Sequence, residues 1–517
     1  MRGRTVTAIV ALIALLLAGC APRVTWMAPT NGARGSSSAT PPVTVGALTW
    51  TNCHSEAAKV LDQFQVRPPA AITYDCATLH VPQDWHNPGN GKTFDIALIR
   101  ARSSRQHDRI GSLVINPGGP GESGIDIAVE LSLGLPADVL ERFDLVGFDP
   151  RGVSRSEAVK CFTDADLDAS FAADPDPQSQ ADFDAYVALN RKMDNECQTK
   201  YGDELPLFST EQAARDMEAI RVGVGDPKLT YLGFSYGTLL GATYAQLFPK
   251  SIRAMVLDGA VDPTAGPISA AEGQAKGFAH AYDDFAADCA AKGAGCPIGP
   301  DPKATLAAIL DKARKAPVTA SDGRKVTAGW ILTGVFSALY AKERWNGLAN
   351  GLAAVNRGDP KGILALADDY AQRNASGHYA NMFDIFNTVS CDDDPGTETV
   401  DQARTLQSDW RTRYPIFGTS LAIGLISCAV WPAKHDPYPT GKAVGAPPIV
   451  VVGTTNDPAT PYEQTAKLAN MLGVGHVVTW QGEGHTAYPQ TTCIRAAVDA
   501  YLINLSVPPD GLTCPPR

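Results

Sequence analysis

The sequence predicts an α/β fold: a mostly parallel sheet flanked by helices, with a large helical cap inserted between late strands. Short apolar runs typical of buried strands recur along the chain, and helical segments separate them. One such strand meets its helix at a serine between two glycines, in the pattern Gly-Phe-Ser-Tyr-Gly at 233–237. Between residues 263 and 445 the segments are amphipathic and almost no strand signal occurs, which indicates an insertion into the sheet.

Length and composition restrict the possible functions. A chain of 517 residues with 44% hydrophobic content can form two folding units, each with its own core. The formal net charge is -11 and basic residues form no cluster, so neither nucleic acid nor an anionic membrane surface is an expected partner. The sequence also lacks Cys-x-x-Cys and His-Glu-x-x-His patterns, so we expect no metal site and no cofactor.

Residues 1–20 have the pattern of an export signal. Two arginines precede an apolar run from Ala8 to Ala18, which is too short to span a bilayer comfortably. The run ends in Leu-Ala-Gly-Cys and resembles a bacterial lipobox, which implies lipidation of Cys20; an ordinary signal peptide that contains a cysteine is the alternative. Residues 21–45 are rich in small and polar residues and predict a flexible tether. We expect a lipid-anchored protein of the cell envelope that is partly secreted.

The cysteines predict a set of disulfides. Setting Cys20 aside leaves an even number, which in an exported chain favours disulfide bonds over free thiols. Sequence alone does not fix the connectivity. Because the cysteines fall into neighbouring pairs, our prediction joins them in order: Cys53–Cys76, Cys161–Cys197, Cys289–Cys296, Cys391–Cys428 and Cys493–Cys514.

The first part of the core, residues 46–262, begins with an edge hairpin. Alternating apolar and polar residues over Thr73–Trp85 and Phe94–Ala101 predict its two strands. A buried strand at Ser112–Asn116 then runs into a glycine-rich loop whose backbone N–H groups are unobstructed. We expect Gly119 in this loop to donate to an oxyanion, although a tight connection without chemistry is the alternative.

The next elements lead to the serine. A strand is predicted at Glu141–Phe148, and Asp149 and Arg151 directly after it are expected to pair with each other and brace the loop. A helix at Thr210–Val222 then precedes the strand that ends at the Gly-x-Ser-x-Gly pattern.

The pattern at 233–237 is typical of a nucleophile elbow. Glycines on both sides permit the sharp turn, so Ser235 would project above the sheet edge while the N–H of Tyr236 begins the helix. A glycine-rich turn with an exposed serine is the alternative. A histidine base and an acid placed to act with the serine would favour the nucleophile elbow over the exposed turn.

The predicted cap covers residues 263–445, and residues 446–517 form the second part of the core. The cap helices are predicted at Ala271–Cys289, Lys303–Ala316, Trp330–Leu348 and Gly362–Gln372. A roof of this kind commonly shapes a substrate pocket and excludes water from it.

An acid and a base follow the last two strong strand signals. Asp457 comes just after one strand and His485 just after the next, so the order is Ser235, Asp457, His485. All three would lie at one edge of a parallel sheet, as a catalytic triad requires. Asp258, at another strand end, is the alternative acid, and Glu483 is expected to be a loop residue.

Five motifs together resemble the α/β-hydrolase peptidases of the prolyl aminopeptidase group: Asn116–Gly124, Asp149–Gly152, Gly233–Gly237, Asn456–Pro461 and Gly484-His485. Within this group the sequence is most similar to secreted tripeptidyl aminopeptidases with a TAP-like carboxyl-terminal region, which include a mycobacterial cell-envelope serine hydrolase. The family's loop often begins His-Gly-Gly-Pro-Gly, whereas this chain has Asn-Pro-Gly-Gly-Pro-Gly, so a role for that histidine does not carry over.

The resemblance implies an α/β-hydrolase fold and an aminopeptidase that cleaves short peptides from free amino termini, with some esterase activity and no cofactor. A carboxylesterase or lipase acting on envelope or small esters is the alternative enzyme, and an inactive surface-binding lipoprotein is the alternative of another class. A substrate ammonium needs a carboxylate, for which Glu122 and Asp393 are the candidates. The expected partners are peptides or proteins with a free amino terminus, and the expected state is a monomer.

Overall fold

The computed structural model describes residues 45–517. The predicted export signal, Cys20 and all but the last residue of the predicted tether lie outside the described residues. Within 45–517, no helix combines the length and the apolar character that crossing a membrane requires.

The described residues contain one large sheet and a small hairpin. The strands are β1 (Thr51–Asn52), β2 (Ile72–Pro82), β3 (Thr93–Ser103), β4 (Gly111–Asn116), β5 (Phe143–Phe148), β6 (Leu229–Phe234), β7 (Ile252–Asp258), β8 (Val318–Thr319), β9 (Lys325–Val326), β10 (Ile449–Asn456), β11 (Gly475–Glu483) and β12 (Leu512–Cys514). The large sheet has the order β1-β2-β3-β5-β4-β6-β7-β10-β11-β12, and β8 pairs with β9 alone.

The sheet is antiparallel at one edge and parallel elsewhere. Strands β1, β2 and β3 pair antiparallel, as does β3 with β5. All pairs from β5 to β12 are parallel. The chain order reverses between β4 and β6, where Asn116 is in register with Gly233. Ligands bind at such reversal points in parallel sheets, beyond the carboxyl ends of the strands. The predicted mostly parallel sheet flanked by helices is therefore confirmed.

Helices cover both faces of the sheet and build the cap. They are α1 (His54–Asp62), α2 (Gly124–Gly134), α3 (Ala137–Arg142), α4 (Asp164–Ala172), α5 (Gln180–Tyr201), α6 (Thr210–Gly223), α7 (Tyr236–Leu247), α8 (Pro267–Ala291), α9 (Pro302–Lys315), α10 (Ala328–Leu339), α11 (Trp345–Asn356), α12 (Lys361–Ala371), α13 (Met382–Asp393), α14 (Val400–Arg413), α15 (Gly418–Gly424), α16 (Ile426–Ala429), α17 (Glu463–Leu472) and α18 (Thr492–Asn504).

Each face of the sheet has its own apolar core. On one face, Met217 of α6, Leu240 of α7 and Leu468 of α17 share a buried cluster with the strands. On the other face, α1, α2 and α18 pack in the same way. The buried strands β4, β5 and β6 carry no exposed position, because helices cover both of their sides.

The cap contains helices from two parts of the chain. Helices α8 to α16 come from the predicted insertion, and α4 and α5 come from the segment between β5 and β6. Leu167 of α4 and Met193 of α5 are buried in the same cluster as Trp330 and Leu348. The predicted single helix over Trp330–Leu348 is two helices, α10 and α11, with a break after Leu339.

Five disulfides join the cysteines in the pairs that the sequence order predicted. Cys161–Cys197 fixes the loop after β5 to α5 of the cap. Cys391–Cys428 joins α13 to α16, so the cap is cross-linked at two places near the core.

The expected pairing of Asp149 with Arg151 is wrong. Arg151 donates to both carboxylate oxygens of Asp216 at 2.7 Å and to the main-chain carbonyl of Leu207. Asp149 instead accepts from the Ser123 hydroxyl at 2.5 Å and from backbone N–H groups. A guanidinium binds most strongly to a carboxylate that accepts two hydrogen bonds from it. Asp216 on α6 accepts both from Arg151, which explains why Arg151 pairs with Asp216 and not with Asp149, its near neighbour in sequence.

Candidate active site

Ser235 occupies a strained turn between β6 and α7. Its φ of 55° and ψ of -125° lie outside the regions that a side chain normally permits. A Cβ on Gly233 would lie 2.4 Å from the carbonyl oxygen of Gly237, and one on Gly237 would lie 2.8 Å from the carbonyl oxygen of Asn116. Only glycine therefore fits on either side of the serine.

Hydrogen bonds hold the turn in this conformation. The N–H of Ser235 donates to the carbonyl of Asp258 at 2.9 Å, and the carbonyl of Ser235 accepts from the Thr238 hydroxyl at 2.7 Å. The serine backbone is thus tied to the end of β7 as well as to its own helix. Strain that the surroundings hold in place is common at functional sites.

Asp457 and His485 form a buried pair at the same sheet edge. Nδ1 of His485 lies 2.9 and 3.0 Å from the two carboxylate oxygens of Asp457. Oδ1 of Asp457 also accepts from the backbone N–H groups of Ala459 and Thr460, both at 2.9 Å. Its Oδ2 accepts from the Thr460 hydroxyl at 3.0 Å. This many donors stabilise an ionised carboxylate, which in turn favours a proton on Nδ1 of the imidazole.

The second ring nitrogen of His485 is available for chemistry. Nε2 is buried and makes no hydrogen bond to any residue of the described range. Burial lowers the pKa of His485, but the charge of Asp457 and its hydrogen bond, with the charges of Asp258 and Glu122, more than offset this and raise the pKa. An unpartnered Nε2 on an imidazole oriented through Nδ1 can accept a proton.

Ser235 and His485 lie close to the same residue, Gly259. Gly259 directly follows Asp258, whose carbonyl binds the serine N–H. A Cβ on Gly259 would lie 3.2 Å from Cε1 of His485, so the imidazole packs against this turn. Since Nε2 has no partner among residues 45–517, the serine hydroxyl makes no hydrogen bond with it. Free enzymes often show such loose contacts, which tighten when substrate binds.

Asp258 contacts the main chain after the histidine and not the ring. Its carboxylate accepts from the N–H of Ala487 at 3.0 Å and from that of Tyr488 at 2.7 Å. Burial raises the pKa of Asp258 to about 7. Glu483, expected to be a loop residue, is instead the last residue of β11, and its carboxylate accepts from the side-chain amide of Asn456 at 2.5 Å. Of the acids weighed from sequence, Asp457 is the one that meets the imidazole.

The glycine-rich loop packs directly on the serine turn. A Cβ on Gly118 would lie 2.9 Å from Cβ of Ser235 and 3.1 Å from the backbone nitrogen of Tyr236. Asn116 holds the loop, because its side-chain oxygen accepts from the N–H of Gly118 at 3.1 Å. Within the described part of the chain, the amides of Gly119 and Tyr236 donate no hydrogen bond. The free amide of Tyr236 thus directly follows the serine, and the free amide of Gly119 belongs to a residue that lines the same cavity, an arrangement compatible with an oxyanion site.

A cavity of about 560 Å³ opens over Ser235. Gly119, Ser235 and Tyr236 line its floor, and Tyr340 and Thr460, which both contact His485, line its wall. Most of the roof is aromatic and belongs to the cap and to the loop before it: Phe162, Phe171, Phe278, Phe336, Phe383 and Phe386. The site is therefore a mostly apolar chamber between the sheet edge and the cap.

The two residues expected to bind an ammonium do not line this cavity. Glu122 is half-buried beside the oxyanion loop, where burial raises its pKa and the charge of His485 lowers it in part. Asp393 accepts from the backbone and hydroxyl of Thr210 at 2.9 and 2.6 Å, and the same hydroxyl lies 2.5 Å from that of Tyr236. Asp393 therefore joins α13 to the base of the elbow helix.

The carboxylate that does line the cavity is Asp194, on α5. Sequence reasoning missed it because α5 is polar on most of its surface and carries several acids, none of which is marked by a motif. Tyr340 was missed for a similar reason, since it lay inside a predicted helix. In the structure, the break after α10 lets the carbonyl of Tyr340 accept from the N–H of His485 at 2.8 Å.

Comparison with known proteins decides the family. The model of the family described as TAP-like protein matches residues 414–514. The chain is 40% identical to serine protease Hip1 of Mycobacterium tuberculosis over 98% of this chain and 96% of that protein. It is 38% identical to carboxylesterase B of the same organism, over 92% of this chain and 91% of that protein. It is 31% identical to tripeptidyl aminopeptidase of Streptomyces lividans, over 86% and 84%.

The chain belongs to the TAP-like family of α/β hydrolases. Its relatives include a serine protease and a tripeptidyl aminopeptidase, and the chain is accordingly a serine hydrolase. Among solved structures, proline iminopeptidase of Mycobacterium smegmatis is similar over 82% of this chain and 97% of that chain, with 13% identity and a TM-score of 0.36.

Proposed function

We propose that this TAP-like hydrolase is an exported aminopeptidase, anchored through a lipid on Cys20, that cleaves short peptides from free amino termini. One observation carries the proposal. The Asp457–His485 pair, the strained Ser235 and two free amides lie at one sheet edge, at a cavity that cap helices also line. Acyl transfer needs this combination of nucleophile, base, orienting acid and oxyanion donors.

In the proposed mechanism, Oγ of Ser235 attacks the substrate carbonyl while Nε2 of His485 takes the hydroxyl proton. Asp457 holds Nδ1 and stabilises the imidazolium that forms. The N–H groups of Gly119 and Tyr236 donate to the oxygen that becomes negative. His485 then gives its proton to the leaving amine, and water hydrolyses the acyl-enzyme by the same route in reverse.

The relatives favour peptides over esters as substrates. One relative is named as a serine protease and another as a tripeptidyl aminopeptidase, and both match most of this chain. The name carboxylesterase B supports the alternative, in which the apolar chamber receives the acyl or alcohol part of an ester. The elbow does not discriminate, because amides and esters are cleaved by the same groups.

The central experiment compares wild type with Ser235→Ala and a matched control, Ser269→Ala. Ser269 is an exposed serine on α8 whose hydroxyl bonds only the carbonyl of Gly266. We expect a fluorophosphonate probe to label wild type and Ser269→Ala but not Ser235→Ala. Peptide-amide hydrolysis should be lost in the same variant only. Labelling that survives in Ser235→Ala would remove this serine from the mechanism.

Export and anchoring have a separate test. Cys20→Ser should move the protein from the membrane fraction to the soluble fraction of cells, with peptidase activity retained. Unchanged partitioning would refute the lipid anchor and leave the catalytic proposal intact. We also propose a monomer, for which sedimentation should give a mass near 54.6 kDa, reduced by the removed signal.

A further inference from the structure

The lining of the cavity over Ser235, as far as residues 45–517 form it, contains a single carboxylate. Among the described residues that line it, Asp194 is the only Asp, Glu, Lys, Arg or His side chain. Its neighbours in the lining are apolar or neutral: Tyr186, Asn190, Met193, Phe386, Asn387 and Ser390. Because the charged group in this lining is a carboxylate, the chamber favours a substrate with a positively charged group.

Asp194 is buried and half of its hydrogen-bonding capacity is unused. The residue is 2% exposed. Its Oδ1 accepts from the side-chain amide of Asn387 on α13 at 2.8 Å. Its Oδ2 is buried and accepts no hydrogen bond from residues 45–517. Most buried carboxylate oxygens are paired, so an unpaired one on a residue that lines a cavity can take a donor from a molecule bound there.

No structural role accounts for this arrangement. Asp384, a buried acid of the cap, binds the N–H groups of Cys161 and Phe162, and Asp392, whose carboxylate is buried without a hydrogen bond from the described residues, does not line the cavity. Among residues 45–517, Asp194 binds no backbone group and no cation. Removing it would leave an apolar wall, which would stabilise the cap better than a buried acid does.

We propose that Asp194 binds the primary ammonium group of the substrate and is the residue that makes this chamber select a free amino terminus. The inference rests on the proposed peptidase function. A substrate whose carbonyl lies at Ser235 then has its charged end at α5, inside the same cavity of about 560 Å³. That volume lies within the usual range for small-ligand sites, so the chamber suits a short peptide end.

The chemistry of the carboxyl group agrees with this role. Burial raises the pKa of Asp194 to about 7, and the hydrogen bond from Asn387 lowers it only in part. Near neutral pH the empty site therefore holds a partly protonated acid, which reduces the penalty of an unpaired buried charge. An ammonium that enters favours the carboxylate, and the low dielectric of the aromatic roof strengthens the pair.

The test compares Asp194→Asn with Glu196→Gln as a matched control. Glu196 lies on the same helix and pairs with Lys192 at the surface. Three lysine-free substrates are used: a peptide amide with a free amino terminus, its N-acetyl form, and a short neutral ester. We expect Asp194→Asn to lower kcat/KM for the free peptide by about 10- to 100-fold, the usual effect of losing a charged hydrogen bond. The ester and the N-acetyl peptide should change by less than about twofold by the same reasoning, and the control should match wild type.

The ester also reports whether the variant folds, since it needs the triad but no ammonium. Equal loss on all three substrates, or no loss on the free peptide, would overturn the role of Asp194. A wild type that cleaves both peptides equally well would overturn it too, while the peptidase function would stand. A wild type that hydrolyses the ester and neither peptide would overturn the proposed function itself, and the inference with it.

A further substrate distinguishes the ammonium group of a peptide amino terminus from that of a lysine side chain. An N-acetyl peptide that carries one lysine offers a side-chain ammonium and no free terminus. We expect wild type to cleave it no better than the lysine-free N-acetyl peptide. A gain that disappears in Asp194→Asn would overturn the assignment to the terminal ammonium and move it to a lysine side chain.

Discussion

The structure makes a sharp prediction for Asp457→Asn, because the two oxygens of Asp457 have different partners. Oδ1 accepts from two backbone N–H groups, those of Ala459 and Thr460, each at 2.9 Å. An amide nitrogen cannot replace Oδ1, since its hydrogens would face these donors. Oδ2 accepts from a hydroxyl, which can rotate, and from the N–H of Thr486 at 3.3 Å. The asparagine NH2 must therefore take the Oδ2 position.

In that position the NH2 faces Nδ1 of His485 at about the 2.9 Å now spanned by Oδ2. Nδ1 also lies 3.0 Å from the Oδ1 position, but the nearer NH2 favours an Nδ1 that accepts a hydrogen bond, and hence the tautomer with its proton on Nε2. A protonated Nε2 cannot take the proton of Ser235. The same change of tautomer in serine proteases lowers kcat about 10⁴-fold, and we expect a loss of about that size here. The fold loses one weak backbone bond and some charge assistance, which we expect to cost about 1 kcal/mol.

The assay measures kcat and KM on a short ester and a peptide amide, with thermal unfolding as the control. We expect both kcat values to fall together while the melting temperature changes by about 1 °C, roughly what 1 kcal/mol produces in a chain of this size. Asp258→Asn is the matched variant, because within residues 45–517 the carboxylate of Asp258 accepts hydrogen bonds from the backbone of Ala487 and Tyr488 and none from the imidazole. Near-normal turnover in Asp457→Asn, together with a larger loss in Asp258→Asn, would refute the reasoning and make Asp258 the acid.

Two further predictions concern the base and the oxyanion donors. Because Asp457 holds the pKa of His485 above its ordinary value of 6.5, and the base must be neutral, kcat/KM for a neutral ester should rise with pH through a midpoint above 6.5. The same raised pKa stabilises the fold below pH 6.5, and that contribution is lost as pH rises through the folded value; a midpoint below 6.5 would contradict both statements. Gly118→Ala should lower kcat by about 10²-fold or more with little change in KM, because a Cβ there would lie 2.7 Å from the carbonyl oxygen of Phe234 and displace the amides beside Ser235. Unchanged kcat in a folded Gly118→Ala would mean that this loop supplies no donor.

The residues that sequence reasoning located share one property: their signals are local. A serine between glycines, or an acid just past a buried strand, is recognisable from a few neighbours, and a parallel sheet brings all strand ends to one edge. The disulfide pairs were also local in sequence. Asp149 and Arg151 show the limit of this reasoning. Their closeness in sequence predicted an ion pair, whereas in the structure Arg151 pairs with Asp216 on α6.

Asp194 could not be found in the same way. Its significance depends on which side of α5 faces the chamber, and that is set by the packing of Met193 against cap helices far along the chain. The break after α10 has a similar origin. The apolar pattern continues through Tyr340, so periodicity alone predicts one helix, whereas the contact between the Tyr340 carbonyl and the backbone of His485 belongs to tertiary structure.

The contacts between the cap and the catalytic loops argue that the roof is part of the catalytic machinery. The Tyr340 carbonyl binds the N–H of His485, and a Cβ on Gly484 would lie 2.7 Å from the same oxygen. On the acid side, Gln274 of α8 donates to the carbonyl of Ala459 at 3.0 Å, and a Cβ on Gly277 would lie 2.6 Å from the carbonyl of Pro458. Cap residues thus pack against the loops of both Asp457 and His485. A displacement of α8 or α10 would break these contacts, so the positions of the loops that carry Asp457 and His485 depend on the packing of the cap.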